Sequence, residues 1–408
     1  MNRDTAFSRR TFLATATAGA LAAGIRSLHP ADARPTDREA PESNSSATLR
    51  WGIIGTGTRG GFTHLPVLKE APQSQLVALC DVSESRLKAA AMRVGHPVET
   101  YGDYQKLLAN PDVNAVVIAV PNLLHREILL AALAAGKHVL CEKPFGASPA
   151  DAAAMKTAAE AAKTVVMFGM QYRNNARMQT IADLIAKGEI GKPKYFVQNC
   201  SRGDWNLSPN VWQYADSKLG GKPMNWRFSH AATGGTLNEF DCHYFDLLNW
   251  YAGGLPEHVL CEGGISTYHD GRDTWDHASV TLTYPDEVMA VHTICLFGPS
   301  RADLTIMGTE GSIETAPKDV LRLTKFARRG KSGGAKIQEI APEIPQGHSA
   351  DRATLALYQD FLACVQTGKK PDASIDRASA ASKTCWLAEL SAARNSEVKW
   401  DALDTQST

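Results

Sequence analysis

The run from Leu49 to Asp81 constrains the fold of this chain more than any other segment. Leu49–Ile54 is a short apolar strand, and Gly55-Thr56-Gly57-Thr58-Arg59-Gly60 follows it with no residue between. The pattern then predicts a helix over Phe62–Glu70 and a second apolar run, Leu76–Cys80, ending in Asp81. Each glycine has a distinct physical task. Gly55 permits a tight turn, Gly57 lets a pyrophosphate approach the backbone, and Gly60 lets the helix lie close on the strand. Phosphates would then meet the free N–H groups at the start of the helix. Asp81 stands 21 residues after Gly60, where an acid at the end of the second strand reaches both ribose hydroxyls. A carboxylate there repels a 2′-phosphate, so NAD is expected over NADP, while Arg86 nearby keeps an NADP option open. Strand, glycine turn, helix and spaced acid together predict a Rossmann-type parallel α/β domain.

The α/β rhythm continues beyond it. Tyr104–Ala109 reads as a helix and the unbroken apolar run Asn114–Val120 as a buried parallel strand. It ends in Pro121-Asn122, with His125 opening the helix Arg126–Ala135. Lys137–Cys141 is another strand, closed by Glu142-Lys143-Pro144. Ser148-Pro149 with Asp151 has the chemistry of a helix start. A last strand, Val165–Phe168, precedes Gln171-Tyr172-Arg173. Ligands of open α/β sheets bind beyond the carboxyl ends of the strands. Three polar clusters, at Asn122, at Glu142-Lys143 and at Gln171-Tyr172-Arg173, are therefore expected in one site. From residue 171 the pattern changes to β-rich runs at 194–200, 278–284, 288–297, 303–307 and 320–326, with Gly308–Gly311 as a turn. Helices are predicted over Arg352–Thr367 and Arg377–Arg394, and the basic, glycine-rich Arg328–Gly334 reads as a solvated hairpin loop.

The glycine motif with Asp81, Pro121-Asn122-x-x-His125 and Gly136-Lys137-His138-Val139-x-x-Glu142-Lys143-Pro144 together resemble the Gfo/Idh/MocA family, over roughly residues 49–400. The resemblance implies a Rossmann domain, set here at 49–170, followed at 171–408 by an α+β domain with a large, mostly antiparallel open sheet. It implies a nicotinamide cofactor in the cleft between the domains and a sugar or polyol substrate. The cofactor residues expected are Gly55, Thr56, Gly57, Thr58, Arg59, Gly60, Asp81, Arg86, Asn122, His125, Glu142, Lys143 and Gln171. Gly234-Gly235-Thr236-Leu237-Asn238-Glu239-Phe240-Asp241-Cys242-His243-Tyr244-Phe245-Asp246 resembles the family's Gly-Gly-x-Leu-x-Asp-x-Gly-x-His-x-x-Asp segment, with Glu239 and Asp241 departing from it. Glu239 and His243, four apart, share one helical face. By resemblance Lys143 and His243 remove the hydroxyl proton while hydride passes to the nicotinamide, and Glu239 orients a hydroxyl or tunes His243. A base for this step needs a pKa near the working pH. Tyr172, Arg173, Trp226 and Arg227 join Lys143, Glu239 and His243 as expected substrate contacts. No metal is expected, because Cys242 and His243 would diverge on a helix.

The amino terminus reads as an address. Arg9-Arg10 with Phe12-Leu13, a mild apolar stretch over residues 14–24 and Ala31-Asp32-Ala33 resemble a twin-arginine (Tat) export signal with cleavage near Ala33. Residues 34–48 read as a linker. The mature protein is thus expected in the periplasm or outside the cell, handled by the Tat machinery, with no stable membrane anchor. The leader holds four arginines against two aspartates, so the zero formal net charge of the whole chain becomes −2 without it. Near-neutral charge gives no general attraction to nucleic acid. Eight cysteines, none in zinc-type pairs, make no disulfide scaffold. An exported enzyme meets little free NAD, and a Tat substrate leaves the cytoplasm folded, so a tightly held, recycled cofactor is expected. Two chemistries stay open: coupled sugar oxidation and reduction, or transient ring oxidation in a glycosidase or epimerase with no net redox change. A non-catalytic nucleotide-loaded binding protein is the third reading. A homo-oligomer, dimer or tetramer, is expected by fold analogy.

Overall fold

The computed structural model describes residues 48–203, 211–317, 319–327, 335–342 and 352–404. The leader, nearly all of the linker and the basic segment at 328–334 lie outside the described residues.

The first sheet holds β1 (Leu49–Ile54), β2 (Ser74–Cys80), β3 (Glu99–Tyr101), β4 (Ala115–Ile118), β5 (His138–Cys141) and β6 (Val166–Phe168). Every pairing in it is parallel, in the order β3-β2-β1-β4-β5-β6. The strand order reverses between β1 and β4, and this opens a crevice above their carboxyl ends. Continuous apolar sequence in β1 and β4 follows from burial on both faces: Trp51, Ile53 and residues 115–118 are fully buried. The helices are α1 (Leu65–Glu70), α2 (Glu84–Val94), α3 (Tyr104–Ala109), α4 (His125–Ala134) and α5 (Pro149–Ala161). Ser148 caps α5 by accepting from the Asp151 N–H, as the Ser-Pro-x-Asp pattern predicts.

The glycine loop departs from the sequence expectation in one respect. The chain leaves it through a wide π-type turn at Gly60–His64, where the Leu65 N–H reaches back to the Gly60 carbonyl. Only then does α1 begin, three residues into the predicted helix. Pro66 has no N–H to extend an α-helical ladder backward through this turn.

The second domain begins with α6 (Ala176–Ala186) and then adds β7 (Pro193–Ser201), β8 (Gln213–Ala215), β9 (Pro223–Asn225), α7 (His230–Thr233), α8 (Thr236–Ala252), β10 (His258–Gly264), β11 (His277–Tyr284), β12 (Val288–Cys295), β13 (Arg301–Gly308), β14 (Gly311–Thr315), β15 (Leu321–Lys325) and β16 (Lys336–Ile340). The helices α9 (Arg352–Thr367) and α10 (Ile375–Arg394) and the short β17 (Val398–Lys399) complete the described chain. Nine strands form one open sheet, β16-β15-β14-β13-β7-β12-β11-β10-β17, antiparallel except between β7 and β12. Its inner face carries Phe196, Val280, Leu282, Ala290 and Ile294, all buried, against α8 and α10. Polar and exposed residues alternate with them on the outer face, the two-residue period of a one-sided sheet.

One helix crosses the expected domain boundary. Although α9 lies far along the sequence, Tyr358 and Phe361 pack on Trp51 of β1 with ring centroids 5.1 and 5.0 Å apart. Phe361 also meets the His138 ring, and the Ala373 carbonyl accepts from the Phe168 N–H of β6 at 3.2 Å. The buried stripe Leu355, Tyr358 and Leu362 explains the return, because it must cover an apolar surface and the first sheet offers one.

Candidate active site

A cavity of about 760 Å³ runs along the crevice between the two sheets. Its first half is made by the glycine loop. Gly55 sits at φ +92°, and a Cβ there would strike the Ala119 carbonyl; one at Gly60 would strike the Gly55 carbonyl. Gly57 is the opposite case, since nothing lies within 4 Å of where its Cβ would be. That space opens on the cavity, which Gly55, Gly57, Thr58 and Arg59 all line. A cradle that a side chain would fill fits a pyrophosphate. Asp81 and Arg86 line the same end of the cleft. The Asp81 carboxylate is already aimed, because Oδ2 accepts from the Thr56 N–H at 2.8 Å and hydroxyl at 3.0 Å, and Oδ1 from the Ser83 N–H at 2.9 Å. Oδ1 keeps a lone pair for a ribose hydroxyl. The residues present therefore fit NAD.

The second half is built where β4, β5 and β6 end and α8 begins. Gly235, at φ +95°, turns the chain into α8, which brings Glu239 and His243 to one face beside Lys143. The Lys143 Nζ donates to the Glu239 carbonyl at 2.5 Å and lies 3.7 Å from Glu239 Oε2. Glu239 Oε1 accepts from Arg227 Nε at 3.0 Å, and Oε2 from Asn122 Nδ2 at 2.8 Å. Burial works against the charge on Glu239, but Lys143, Arg227 and Asn122 outweigh it and hold the carboxyl below its ordinary pKa. It is a fixed anion at neutral pH.

His243 is the contrasting group. It is buried, stacked on Tyr172 with ring centroids 4.3 Å apart, and its Nδ1 has no hydrogen-bond partner among the described residues. Burial first, then the positive charge of Lys143, pushes its pKa down to about 3. The ring is therefore a neutral imidazole across the physiological range. Tyr172, Trp226 and Arg227 also face the cavity, with the Arg227 guanidinium 4.4 Å over the Trp226 ring.

Glu142 and Gln171 line the cleft with Lys143. Glu142 Oε1 accepts from Arg59 Nε at 2.5 Å and faces His64 Nε2 at 2.9 Å, while Oε2 accepts from the Lys143 N–H at 3.1 Å. Burial opposes its charge, yet Arg59 and His64 hold it well below the carboxylate range. Gln171, oriented to suit its neighbours, accepts from Arg59 Nη2 at 2.9 Å and donates to the Gly169 carbonyl.

Four expected site residues stand behind the wall instead of in it. Thr56 and Gly60 are buried; the first orients Asp81 and the second makes room for the loop. His125 is fully buried, its two ring nitrogens 3.1 and 3.0 Å from the Pro144 and Val120 carbonyls, so it ties β4 to the Lys143-Pro144 segment. Arg173 forms a buried two-pronged pair with Asp246, at 2.7 and 2.9 Å, and its guanidinium lies 4.8 Å over Trp250. Arg and Asp at such a spacing satisfy each other before any substrate could.

Other lining residues were not legible in the sequence. Cys200 and Arg202 at the end of β7, Trp212 beside β8, and Tyr244 of α8 bound the substrate end. Asp241, where the family pattern has glycine, is fully buried 3.3 Å from His292 of β12, out of line for a hydrogen bond. Burial pushes the Asp241 carboxyl up against the opposing pull of His292. No group of metal-binding side chains occurs among the described residues.

Comparison with known proteins gives the site its context. The profile of the oxidoreductase family with an NAD-binding Rossmann fold matches residues 49–170, and that of the GFO/IDH/MocA C-terminal domain matches 178–314. Levoglucosan dehydrogenase of Pseudarthrobacter phenanthrenivorans is 31% identical over 73% of this chain and 82% of its own. Myo-inositol 2-dehydrogenase of Thermotoga maritima is 28% identical over 53% of this chain and 59% of its own. Among solved structures, levoglucosan dehydrogenase in complex with NADH and L-sorbose superposes with a TM-score of 0.74 at 21% identity, over 86% of this chain and 98% of its own. The aldose-aldose oxidoreductase of Caulobacter crescentus complexed with glycerol gives 0.72 at 23% identity, over 86% and 99%. With both halves matched in order and the glycine cradle, Asp81 and Lys143 on one cleft, the chain belongs to the Gfo/Idh/MocA family of NAD-binding oxidoreductases.

Proposed function

We propose that this enzyme oxidises a secondary hydroxyl of a sugar or polyol with NAD held tightly, and that the NADH formed is reoxidised in the same site by passing its hydride to the carbonyl group of a second sugar. The observation that carries the reading is the meeting of Lys143, neutral His243 and ionised Glu239 on one wall, in the cavity that Gly57 and Asp81 open at its other end. When bound, NAD supplies the hydride acceptor for the carbinol carbon. The Asp81, Gly57 and Gln171 end binds and orients that cofactor. At the other end Glu239 holds Lys143 and Arg227 in place, so two cations and a neutral imidazole face the substrate hydroxyl. The hydroxyl proton passes to His243, the neutral group in that wall, while the positive charges of Lys143 and Arg227 stabilise the alkoxide as it forms. Trp226 and Tyr172 offer apolar faces to ring C–H groups, as sugar sites require.

The levoglucosan and inositol dehydrogenases among its relatives support a cyclic polyol or anhydrosugar as substrate. The twin-arginine leader supports export of the folded, NAD-loaded protein and a place in the periplasm or outside the cell. Replacing Arg9 and Arg10 by lysine should then retain the precursor in the cytoplasm. The exposed outer face of the nine-stranded sheet supports a homo-oligomer.

The test is to purify the protein without added nucleotide, identify any bound nucleotide by mass spectrometry, and add sugars, anhydrosugars and inositols while following reduced-nicotinamide absorbance. Bound NAD reduced by such a substrate supports the reading. An empty, freely exchanging site overturns the tight-cofactor element, and absence of reduction with every hydroxylated ring overturns the activity. Aglycone release from an aryl glycoside without net reduction would favour the redox-neutral alternative.

A further inference from the structure

Helix α9 comes from the far end of the chain, yet it reaches the segment that carries Lys143. It places two hydroxyls, Thr354 and Tyr358, four residues apart and so on one face. Both residues are buried. The Thr354 hydroxyl accepts from Arg59 Nη2 at 3.3 Å, and the Tyr358 hydroxyl lies 2.9 Å from His64 Nδ1. Arg59 and His64 then converge on a single atom, Glu142 Oε1. Glu142 is the residue before Lys143 and accepts the Lys143 backbone N–H with its other oxygen.

The proton positions follow from the chemistry of the partners. An ionised carboxylate can only accept, so His64 Nε2 must carry the hydrogen that points at Glu142. In the neutral form of the ring Nδ1 holds only a lone pair, and Tyr358 donates to it. Burial keeps the Tyr358 phenol protonated, in keeping with that role. One helix thus backs both arms that hold Glu142, with Gln171 a second partner of Arg59 Nη2.

We propose that Thr354 and Tyr358 are positioning residues: they hold Arg59 in place and His64 in its Nε2–H tautomer, and so fix Glu142 as a constant charge beside Lys143. The groups facing His64 are Glu142 and Arg59 from the Rossmann domain and Tyr358 from α9, with Lys143 and His243 farther along the cleft wall. Arg59 and Glu142 both act on His243 through space, which links the arrangement to the proton-accepting wall. The proposal rests on the reading that turnover takes place beside Lys143.

The test is Tyr358→Phe in the full-length enzyme. It removes the donor to Nδ1 and opens that nitrogen to a proton. The expected result is a fall in kcat of about tenfold, a new ionisation in the acid limb of kcat against pH, and little change in the Kd for NAD. Adding His64→Gln, whose amide donates to Glu142 but does not titrate, should abolish the new ionisation. Thr354→Val should lower kcat without adding an ionisation, since Arg59 does not titrate. Thermal melts establish that each variant is folded, and should Tyr358→Phe not fold, Thr354→Val decides the question on the Arg59 arm. A folded Tyr358→Phe with the parent's kcat and pH profile overturns the proposal, as does a wild-type rate for Thr354→Val. Normal turnover by Lys143→Met would instead overturn the reading on which the proposal rests, so the two failures are distinguishable.

Discussion

His243 shows how burial decides what a residue can do. In the unfolded chain its pKa is near 6.5, and in the folded protein it falls to about 3. The unfolded state therefore binds a proton first as pH drops. Stability contributed by the neutral buried ring is complete above pH 6.5 and is lost progressively down to about pH 3. Denaturant unfolding at a series of pH values should show His243→Gln losing less stability across that window than the parent. Equal slopes would contradict the burial argument. At the cofactor end, Thr56→Val removes one donor from Asp81 while keeping shape and burial. The Kd for NAD should rise several-fold and the NAD-to-NADP preference narrow, with kcat nearly unchanged; an unaltered preference would show that Asp81 needs no such support. For Lys143→Met, nucleotide binding measured by calorimetry should persist while hydride transfer falls by about 10²–10⁴.

At the scale of elements, α8 depends on contacts its own sequence does not advertise. Its Asp246 pairs with Arg173, which lies in the turn after β6, and both are almost wholly buried. Arg173→Leu leaves the Asp246 charge buried and unpaired, at a cost of about 3–5 kcal/mol. Urea denaturation should register that loss, and adding Asp246→Leu should recover part of it. A double variant as unstable as the single would mean the guanidinium contributes mainly through Trp250. The helix start is equally constrained, because a Cβ at Gly235 would run into the Glu389 carboxylate and φ there is +95°. The elements most readable in advance were those with strong local signals: β1 and α3 fall on their expected bounds, and Ser148 caps α5 as expected. The turn at Gly60–His64 was not readable, because it depends on how closely Gly60 packs on the Gly55 carbonyl. Thr56, His125 and Arg173 had the right residue types in the right motifs, but hydrogen-bonding partners distant in sequence and brought in by the fold claim their side chains.

For the whole molecule, the open sheet leaves one face without a partner among the described residues. Tyr195, Met289 and Met307 lie side by side on β7, β12 and β13, in register, at 36%, 39% and 42% exposure. Apolar rows of this kind mark interfaces. Replacing Met289 and Met307 by glutamate should lower the mass measured by sedimentation from oligomer to monomer. A parent that is already monomeric at high concentration would remove the basis for an oligomer.

What the sequence determined by itself was local and periodic. The strand-turn-helix at Leu49–Glu70 needs glycines at set spacings, and the apolar periods of two and of three to four place strands and helices wherever they fall. Those rules bear on residues near one another in the chain, so the Rossmann domain, the acid at 81 and the Glu239–His243 face were legible. Tertiary structure alone decided which side chains meet after the chain has returned on itself. The packing of α9 against Trp51 brings Thr354 and Tyr358 to Arg59 and His64, and the pairing of α8 with β12 buries Asp241 against His292. Tertiary surroundings also set the charge states, neighbouring groups keeping Glu142 and Glu239 anionic against burial and burial keeping His243 neutral, because desolvation and neighbouring charge depend on three-dimensional contacts that no sequence interval encodes.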